Sequence, residues 1–184
     1  MTRWFEDIEL STVYDLGSHT FTEAEIIRFG RLYDPQYFHT DPEAARHSHF
    51  GGLVASGWHT VSIGHRLMVD RLAAEEDVVR AEGAEPGVSG PSPGVNRMDF
   101  RAPVRPGDTI HFTLSVTGKR KSHSIPGWGL LFNLIEANNQ RGELVYSADL
   151  VSFSKLRDFR PSLRLRAAMA LARLPVLNKL MVRR

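Results

Sequence analysis

A carboxyl group and an imidazole group stand five residues apart near the start of the sequence, at Asp34 and His39. Pro35 follows the carboxyl group directly and turns the chain, because the residue before a proline is pushed out of the helical region. Such a turn can bring both side chains to one water molecule, which they would hold and deprotonate. From the spacing alone, a turn-forming Asp-Pro followed by a partly exposed histidine is the plainer interpretation.

A small-residue corner, Ser56-Gly57, opens the longest helical pattern of the chain and supplies the second candidate group. The first N–H groups of a helix lack intrahelical partners, and the helix dipole favours negative charge beside them. The Gly57 N–H would therefore serve as a donor to an oxyanion. The plainer interpretation is again available, since a glycine at a helix start often serves packing alone.

The elements that must position these groups follow from hydrophobic periodicity. A strand over 13–21 precedes a helix that begins at the N-cap Thr22 and ends near Asp34, and Asp41 caps a short helix. The long helix over 56–79 is small or apolar on nearly every side of its first half, so we expect it to be buried. The Gly/Pro-rich stretch 82–95 is either a mobile flap or an edge crossing.

The second half of the chain alternates between apolar and polar residues. The pattern predicts strands over 95–104, 109–120, 128–138 and 143–155. Short connections between consecutive strands favour an antiparallel meander. Together with the helices, this order predicts an α+β fold in which an antiparallel sheet wraps around the long helix.

Composition limits the class of protein. The chain has 184 residues and no cysteine, which excludes disulfides and thiolate chemistry and fits a cytoplasmic location. No apolar run is long enough to span a bilayer, and no signal peptide is evident at the start. Residues 155–184 contain nine Lys/Arg and one acid, giving +8, whereas the remainder carries −6. We therefore divide the chain into a domain over 1–156 and a basic amphipathic helical tail over 157–184.

Three roles for the tail stay open: packing on the domain, contact with an anionic membrane, and contact with nucleic acid. The first is the default. No aromatic interleaving or recognition motif supports nucleic-acid binding, so we expect none.

The segment Asp34-Pro35-Gln36-Tyr37-Phe38-His39 resembles the hydratase 2 motif of the MaoC-like dehydratases, the (R)-specific enoyl-CoA hydratases. Gly57 stands eighteen residues after His39, where that family has the glycine that opens its central helix. The stretch 100–110, with its Pro-Gly-Asp turn, is similar to the family's second landmark. The resemblance covers roughly residues 5–155 and leaves the tail unexplained.

The resemblance implies a hot dog fold, usually dimeric, and reversible addition of water to a trans-2-enoyl thioester. Asp34 and His39 would hold and activate the water, and the Gly57 N–H would bind the thioester oxygen. The substrate would be an acyl-CoA or an acyl-carrier thioester, with no cofactor and no metal. Two alternatives stay open: a hot dog thioesterase, and a non-catalytic subunit that binds acyl thioesters.

The sequence departs from the family motif at the positions expected to touch substrate. Gln36 replaces an asparagine, Tyr37 replaces a proline, and Ser56 replaces a histidine. We expect Gln36, Tyr37, Ser56 and Trp58 to contact substrate, and we expect Tyr37 to narrow the acyl tunnel.

Other polar clusters carry weaker signals. His47 and His49, together with His39, could suggest a zinc site. Zinc needs three or four converging ligands, and the spacing supplies no firm third one, so a solvated loop is expected there. His59 and His65 on the long helix are expected to be core residues. The basic run over 119–121 is either a solvated turn or a clamp for a coenzyme A phosphate.

Overall fold

The computed structural model describes residues 4–163 and contains one sheet, four α-helices and a short 3₁₀ turn at Phe5–Asp7. The strands are β1 (Val13–Thr20), β2 (Gly94–Phe100), β3 (Thr109–Lys121), β4 (Trp128–Asn139) and β5 (Leu144–Lys155). The helices are α1 (Glu23–Tyr33), α2 (Tyr37–Thr40), α3 (Pro42–Ala45) and α4 (Gly57–Ala81).

The five strands form one antiparallel sheet in the order β1-β3-β4-β5-β2. The predicted meander is confirmed for β3 to β5, which are joined by short turns. The strand β2 was expected to neighbour β3, but it pairs with β5 at the opposite edge. The sheet packs against α4, and this is the hot dog architecture that the sequence resemblance implied.

The long helix α4 is less buried than its composition suggested. Its fully buried residues are His59, Thr60 and Gly64, whereas Trp58 and Val78 are exposed. A Cβ atom at Gly64 would lie 2.8 Å from the Phe112 ring of β3, so the missing side chain lets helix and sheet approach closely. The apolar residues therefore bury one face of α4 rather than its whole circumference.

Local hydrogen bonds explain where the early helices begin. The Thr22 hydroxyl accepts from the Glu25 N–H, as expected of an N-cap, but the Glu25 carboxylate contacts His19 instead of returning to the cap. The Asp41 carboxylate accepts from the N–H groups of Glu43 and Ala44 at the start of α3. Sequence analysis missed the single turn of α2, which is too short to show a periodic pattern.

The Gly/Pro-rich stretch crosses the β5 edge of the sheet, which is one of the two alternatives predicted for it. Its last part runs beside β5, where the Gly90 N–H donates to the Phe153 carbonyl at 2.8 Å and the Lys155 N–H donates to the Val88 carbonyl at 2.9 Å. The strand β2 then ends at Phe100, earlier than predicted. The expected C-terminal helix falls almost wholly outside the described residues.

His59 is buried among aromatic rings, as expected of a core histidine. Its ring stacks on Phe29 at a centroid distance of 4.5 Å, and Phe21 contacts it edge-on at 5.0 Å. Its Nδ1 has no hydrogen-bond partner among the described residues. Burial lowers the pKa of His59 to about 4, and the nearby Glu25 opposes that shift.

This burial predicts a loss of stability in acid. The unfolded chain binds a proton at His59 near pH 6.5, whereas the folded chain binds it only near pH 4. Above pH 6.5 His59 therefore does not reduce the free energy of unfolding, and this free energy falls as the pH drops from 6.5 toward 4. The loss amounts to about 3 kcal/mol at most. Chemical denaturation of His59→Phe at several pH values is expected to show a flatter dependence than the parent chain. His123→Gln, an exposed control, should keep the parent slope; an unchanged slope in His59→Phe would contradict the assignment.

Candidate active site

A cavity of about 490 Å³ lies where the start of α4, the turn before α2 and the end of β2 meet. Its polar lining includes the groups singled out in the sequence, Asp34, Gln36, His39, Ser56 and Gly57, and also His49, Thr60 and Arg101, which the sequence did not mark as site residues. Its apolar wall includes Phe38, Val54, Val145 and Phe100. The structure therefore brings together residues up to 111 positions apart in the sequence.

The Asp34 carboxylate is the centre of the hydrogen-bond network in this cavity. Its Oδ2 accepts from the Ser56 hydroxyl at 2.7 Å and lies 3.4 Å from His39 Nε2, and its Oδ1 accepts from the Gln36 amide at 2.9 Å. Burial raises the pKa of Asp34, but the hydrogen bonds from Ser56 and Gln36 outweigh it, with a smaller contribution from the nearby His39 ring, so the pKa is lowered overall. The carboxylate is therefore ionised at neutral pH.

The His39 ring is held by the backbone at its other nitrogen. Nδ1 lies 2.7 Å from the Val54 carbonyl, which accepts hydrogen bonds only, so Nδ1 carries the proton. In the neutral ring Nε2 is then a proton acceptor, and it faces Asp34 across the cavity.

The position of His39 depends on a close approach between α1 and α2. A Cβ atom at Gly30 would lie 2.7 Å from the His39 carbonyl oxygen and 3.0 Å from its Cβ. Only a residue without a side chain allows this contact. Sequence analysis missed Gly30, because nothing in the spacing distinguishes it from any other helical glycine.

The start of α4 leaves one N–H group for a ligand. Ser56 caps the helix, and its Oγ accepts from the Trp58 N–H at 3.3 Å. The Gly57 N–H, at the first helical position, has no carbonyl to bond within the helix. Gly57 lines the cavity, so this N–H is the donor available to a bound oxygen atom.

Phe100 covers the same helix start. A Cβ atom at Gly57 would lie 2.7 Å from two carbon atoms of the Phe100 ring, and this ring in turn stacks on Tyr146 at 5.8 Å. The sequence marked Phe100 only as the beginning of a landmark stretch. Its role in the wall follows from the pairing of β2 with β5.

The four residues expected to contact substrate differ in their positions. Gln36 and Ser56 line the cavity, but both are committed to Asp34. Trp58 lines the mouth and is exposed. Tyr37 is not part of the lining; it projects outward from α2 and is 48% exposed, and the next residue, Phe38, forms the wall instead. The expectation that Tyr37 narrows this cavity is therefore corrected.

The other polar signals differ in outcome, and one prediction is wrong: His65, expected to be a core residue, is exposed on α4. No cluster of three metal-ligating side chains occurs between residues 4 and 163. The Lys119 ammonium donates to the carbonyls of Phe5, Glu6 and Ile8 and so fixes the N-terminal turn. The basic run lies at the end of β3 that pairs with Gly129, about 30 Å along the sheet from the cavity, and is not a clamp beside it.

Comparisons with known proteins agree with the geometry. Residues 9–126 match the family model described as a MaoC like domain. The chain belongs to this family. A curated relative, the uncharacterized protein YdeM of Bacillus subtilis, is 28% identical over 145 residues, which cover 79% of this chain and 94% of YdeM.

Solved structures give the same result. The MaoC-like dehydratase from Rhodospirillum rubrum is 31% identical with a TM-score of 0.67, over 86% of this chain and 99% of that one. The (R)-hydratase from A. caviae, described as involved in PHA biosynthesis, shares the fold at 21% identity with a TM-score of 0.55, over 83% and 99% of the two chains. Family membership supports a hydratase or dehydratase activity. Within the described residues, no helix is long and apolar enough to cross a membrane.

The network predicts that Ser56 sets the protonation of Asp34. Removal of the hydroxyl in Ser56→Ala deletes the strongest of the interactions that lower the pKa of Asp34, so that pKa is expected to rise. Carbon-detected NMR titration of the Asp34 carboxyl group measures the change without any assay of activity. Ser62→Ala, on the exposed side of α4, is the matched control, and an unshifted Asp34 in Ser56→Ala would contradict the prediction.

Proposed function

We propose that this MaoC-like domain hydrates trans-2-enoyl-CoA, or another enoyl thioester, to the (3R)-hydroxyacyl thioester, and catalyses the reverse dehydration. One observation supports this most strongly: Asp34 Oδ2 and His39 Nε2 lie 3.4 Å apart in a cavity that also contains the Gly57 N–H. A water molecule that hydrogen-bonds to both Asp34 and His39 would lie beside a bound thioester, whose oxygen the Gly57 N–H would bind.

The reaction needs a base, a proton donor and an oxyanion site. In the proposed step, His39 Nε2 takes a proton from water while the water oxygen bonds to C3 of the substrate. The C2–C3 double bond shifts its electrons toward the thioester, and the Gly57 N–H stabilises the enolate oxygen. Asp34 orients the water, and the proton held by His39 passes to C2, which completes the addition of H and OH. The loss of one oxyanion donor typically costs about 3–4 kcal/mol.

The remaining predicted residues receive supporting roles in this proposal. Gln36 and Ser56 hold Asp34 in place, and Trp58 flanks the entrance for the pantetheine arm of the thioester. We propose no cofactor and no metal, since a general base and an oxyanion donor suffice for addition to an activated alkene.

Asp34→Asn and His39→Gln are each expected to lower kcat by a factor of about 10²–10⁴, because each removes a group that handles the water. Loss of the conjugated-alkene absorbance of crotonyl-CoA measures the rate, and the melting temperature reports folding. His47→Gln, in the exposed loop after α3, should leave both unchanged. A large fall in melting temperature for either active-site variant would show that its role is structural.

The same assay separates the alternatives. Release of free thiol, detected with a thiol reagent, would identify a thioesterase. No change in alkene absorbance or thiol over several chain lengths would identify a non-catalytic acyl-thioester-binding subunit.

We further propose that two copies associate through β2. This strand is an edge of the sheet, its Val95 is 50% exposed, and it ends at the cavity wall formed by Phe100. An unpaired edge offers backbone groups to a second sheet, so pairing of two β2 strands would make one continuous sheet. The other edge, β1, lies away from the cavity.

The two edges allow a matched test of the dimer. Light scattering is expected to give the mass of two chains for the parent protein. Val95→Arg should shift it toward one chain, whereas Val13→Arg, an exposed valine on β1, should not. Dissociation by Val13→Arg instead would place the contact on β1, and a monomeric parent chain would remove the proposal.

A further inference from the structure

Three polar side chains in the lining of the active-site cavity are more than nine-tenths buried, and they belong to His39, Ser56 and Thr60. Two of them already have partners, since His39 Nδ1 bonds to the Val54 carbonyl and the Ser56 hydroxyl bonds to Asp34. Thr60, which is 3% exposed, takes no part in that network. The proposed reaction therefore leaves one buried polar group of this cavity without a role.

The Thr60 hydroxyl group does not form the hydrogen bond that is usual for a threonine inside a helix. Such a hydroxyl commonly donates to the carbonyl three or four residues before it. Ser62, two residues further along α4, does so, because its hydroxyl donates to the Trp58 carbonyl at 2.7 Å. The equivalent acceptor for Thr60 is the Ser56 carbonyl, which accepts only from the backbone N–H groups of His59 and Thr60, at 3.0 and 3.3 Å.

Among the residues that the structure describes, the Thr60 hydroxyl group has no hydrogen-bond partner, yet it is not one of the atoms sealed inside the core. Because Thr60 borders the cavity, the hydroxyl group is reached from there. A buried hydroxyl without a partner is costly. A valine has nearly the same shape and would close this wall without that cost, so a threonine at this position indicates a polar ligand atom.

Thr60 lies on the inner side of the proposed oxyanion site. It stands three residues after Gly57, so the two residues share one face of α4 on successive turns, and both border the cavity. Trp58 at the mouth is 60% exposed, whereas Thr60 is buried. A thioester whose oxygen bonds to the Gly57 N–H, and whose pantetheine arm leaves past Trp58, directs its acyl group toward Thr60.

The oxygen atom that suits the Thr60 hydroxyl is not the thioester oxygen. The first N–H groups of a helix point out of its N-terminus, so an oxygen bonded to the Gly57 N–H lies away from the turn that holds Thr60. A plain alkyl chain would cover the hydroxyl group and exclude water from it, with no hydrogen bond in return. A second oxygen atom on the acyl group would accept a hydrogen bond from it.

We propose that Thr60 determines the specificity of this site, and that its hydroxyl donates a hydrogen bond to an oxygen atom carried by the acyl group beyond the reacting carbons. The preferred substrate is then an enoyl thioester with a carbonyl or hydroxyl oxygen on its acyl chain, rather than one with a plain alkyl chain. This inference rests on the proposed function, which places the thioester oxygen at Gly57.

Binding of saturated acyl-CoA esters, which have no double bond to hydrate, tests this assignment without the reaction. Isothermal titration calorimetry compares 4-oxopentanoyl-CoA with pentanoyl-CoA, and 5-oxohexanoyl-CoA with hexanoyl-CoA. Within at least one pair, the parent chain is expected to bind the oxo ester about three- to tenfold more tightly, the range that one neutral hydrogen bond supplies.

Three variants of α4 separate the hydroxyl group from the shape of the side chain. Thr60→Val should abolish the preference and bind the plain esters at least as tightly as the parent chain does. Thr60→Ser, which keeps the hydroxyl group, should retain the preference. Ser62→Ala, on the exposed side of the same helix, is the matched control and should behave as the parent chain. Thr60→Ala replaces Thr60→Val if the latter does not fold.

Equal binding within both pairs by the parent chain would show that the Thr60 hydroxyl group holds only water, and would overturn the proposal. A preference that survives in Thr60→Val would place the second oxygen elsewhere, and failure of all four esters to bind would equally remove the inference. Hydration of crotonyl-CoA, whose acyl group has no second oxygen, reports the proposed function separately. A protein that hydrates crotonyl-CoA and binds both members of each pair equally loses only this inference.

Discussion

The arrangement of the candidate active site depends on one hydroxyl group. Ser56 Oγ accepts from the Trp58 N–H and so starts α4, and the same oxygen donates its proton to Asp34 Oδ2. The helix start and the carboxylate are therefore positioned by a single atom. Because that atom takes the second N–H of the helix, the Gly57 N–H beside it is left for a ligand.

Much of this site could be predicted from residue types and spacing. Asp34, His39 and Gly57 were recognisable because each has a distinct chemical capacity and lies beside a proline turn or a helix start. The sequence resemblance implied that these three residues lie together in the fold, and the structure places them around one cavity. The direction of Tyr37 could not be predicted, since a four-residue helix has no periodicity from which to assign an inward side. The same limit concealed the partners of Gln36 and Ser56.

In the sheet, too, local sequence pattern predicted some features and not others. Alternating residues identified β3, β4 and β5, and the short turns between them made their order predictable. The place of β2 depends on which strand it meets after a long crossing, and local pattern carries no such information. Its pairing with β5 brings Phe100 over Gly57 and stacks it on Tyr146. The wall of the active-site cavity thus depends on the strand order, which local pattern does not reveal.

The contact at Gly30 has a consequence for how sequence variants of this domain should be read. The α1 backbone touches the His39 carbonyl there, with no room for even a methyl group. A natural variant with alanine at position 30 would retain every chemically active side chain and would pass any inspection for missing functional groups. Its imidazole would nevertheless be displaced from the neighbouring carboxylate by the added carbon. Loss of function at such a position would be misattributed to folding unless the distance between the two groups were measured.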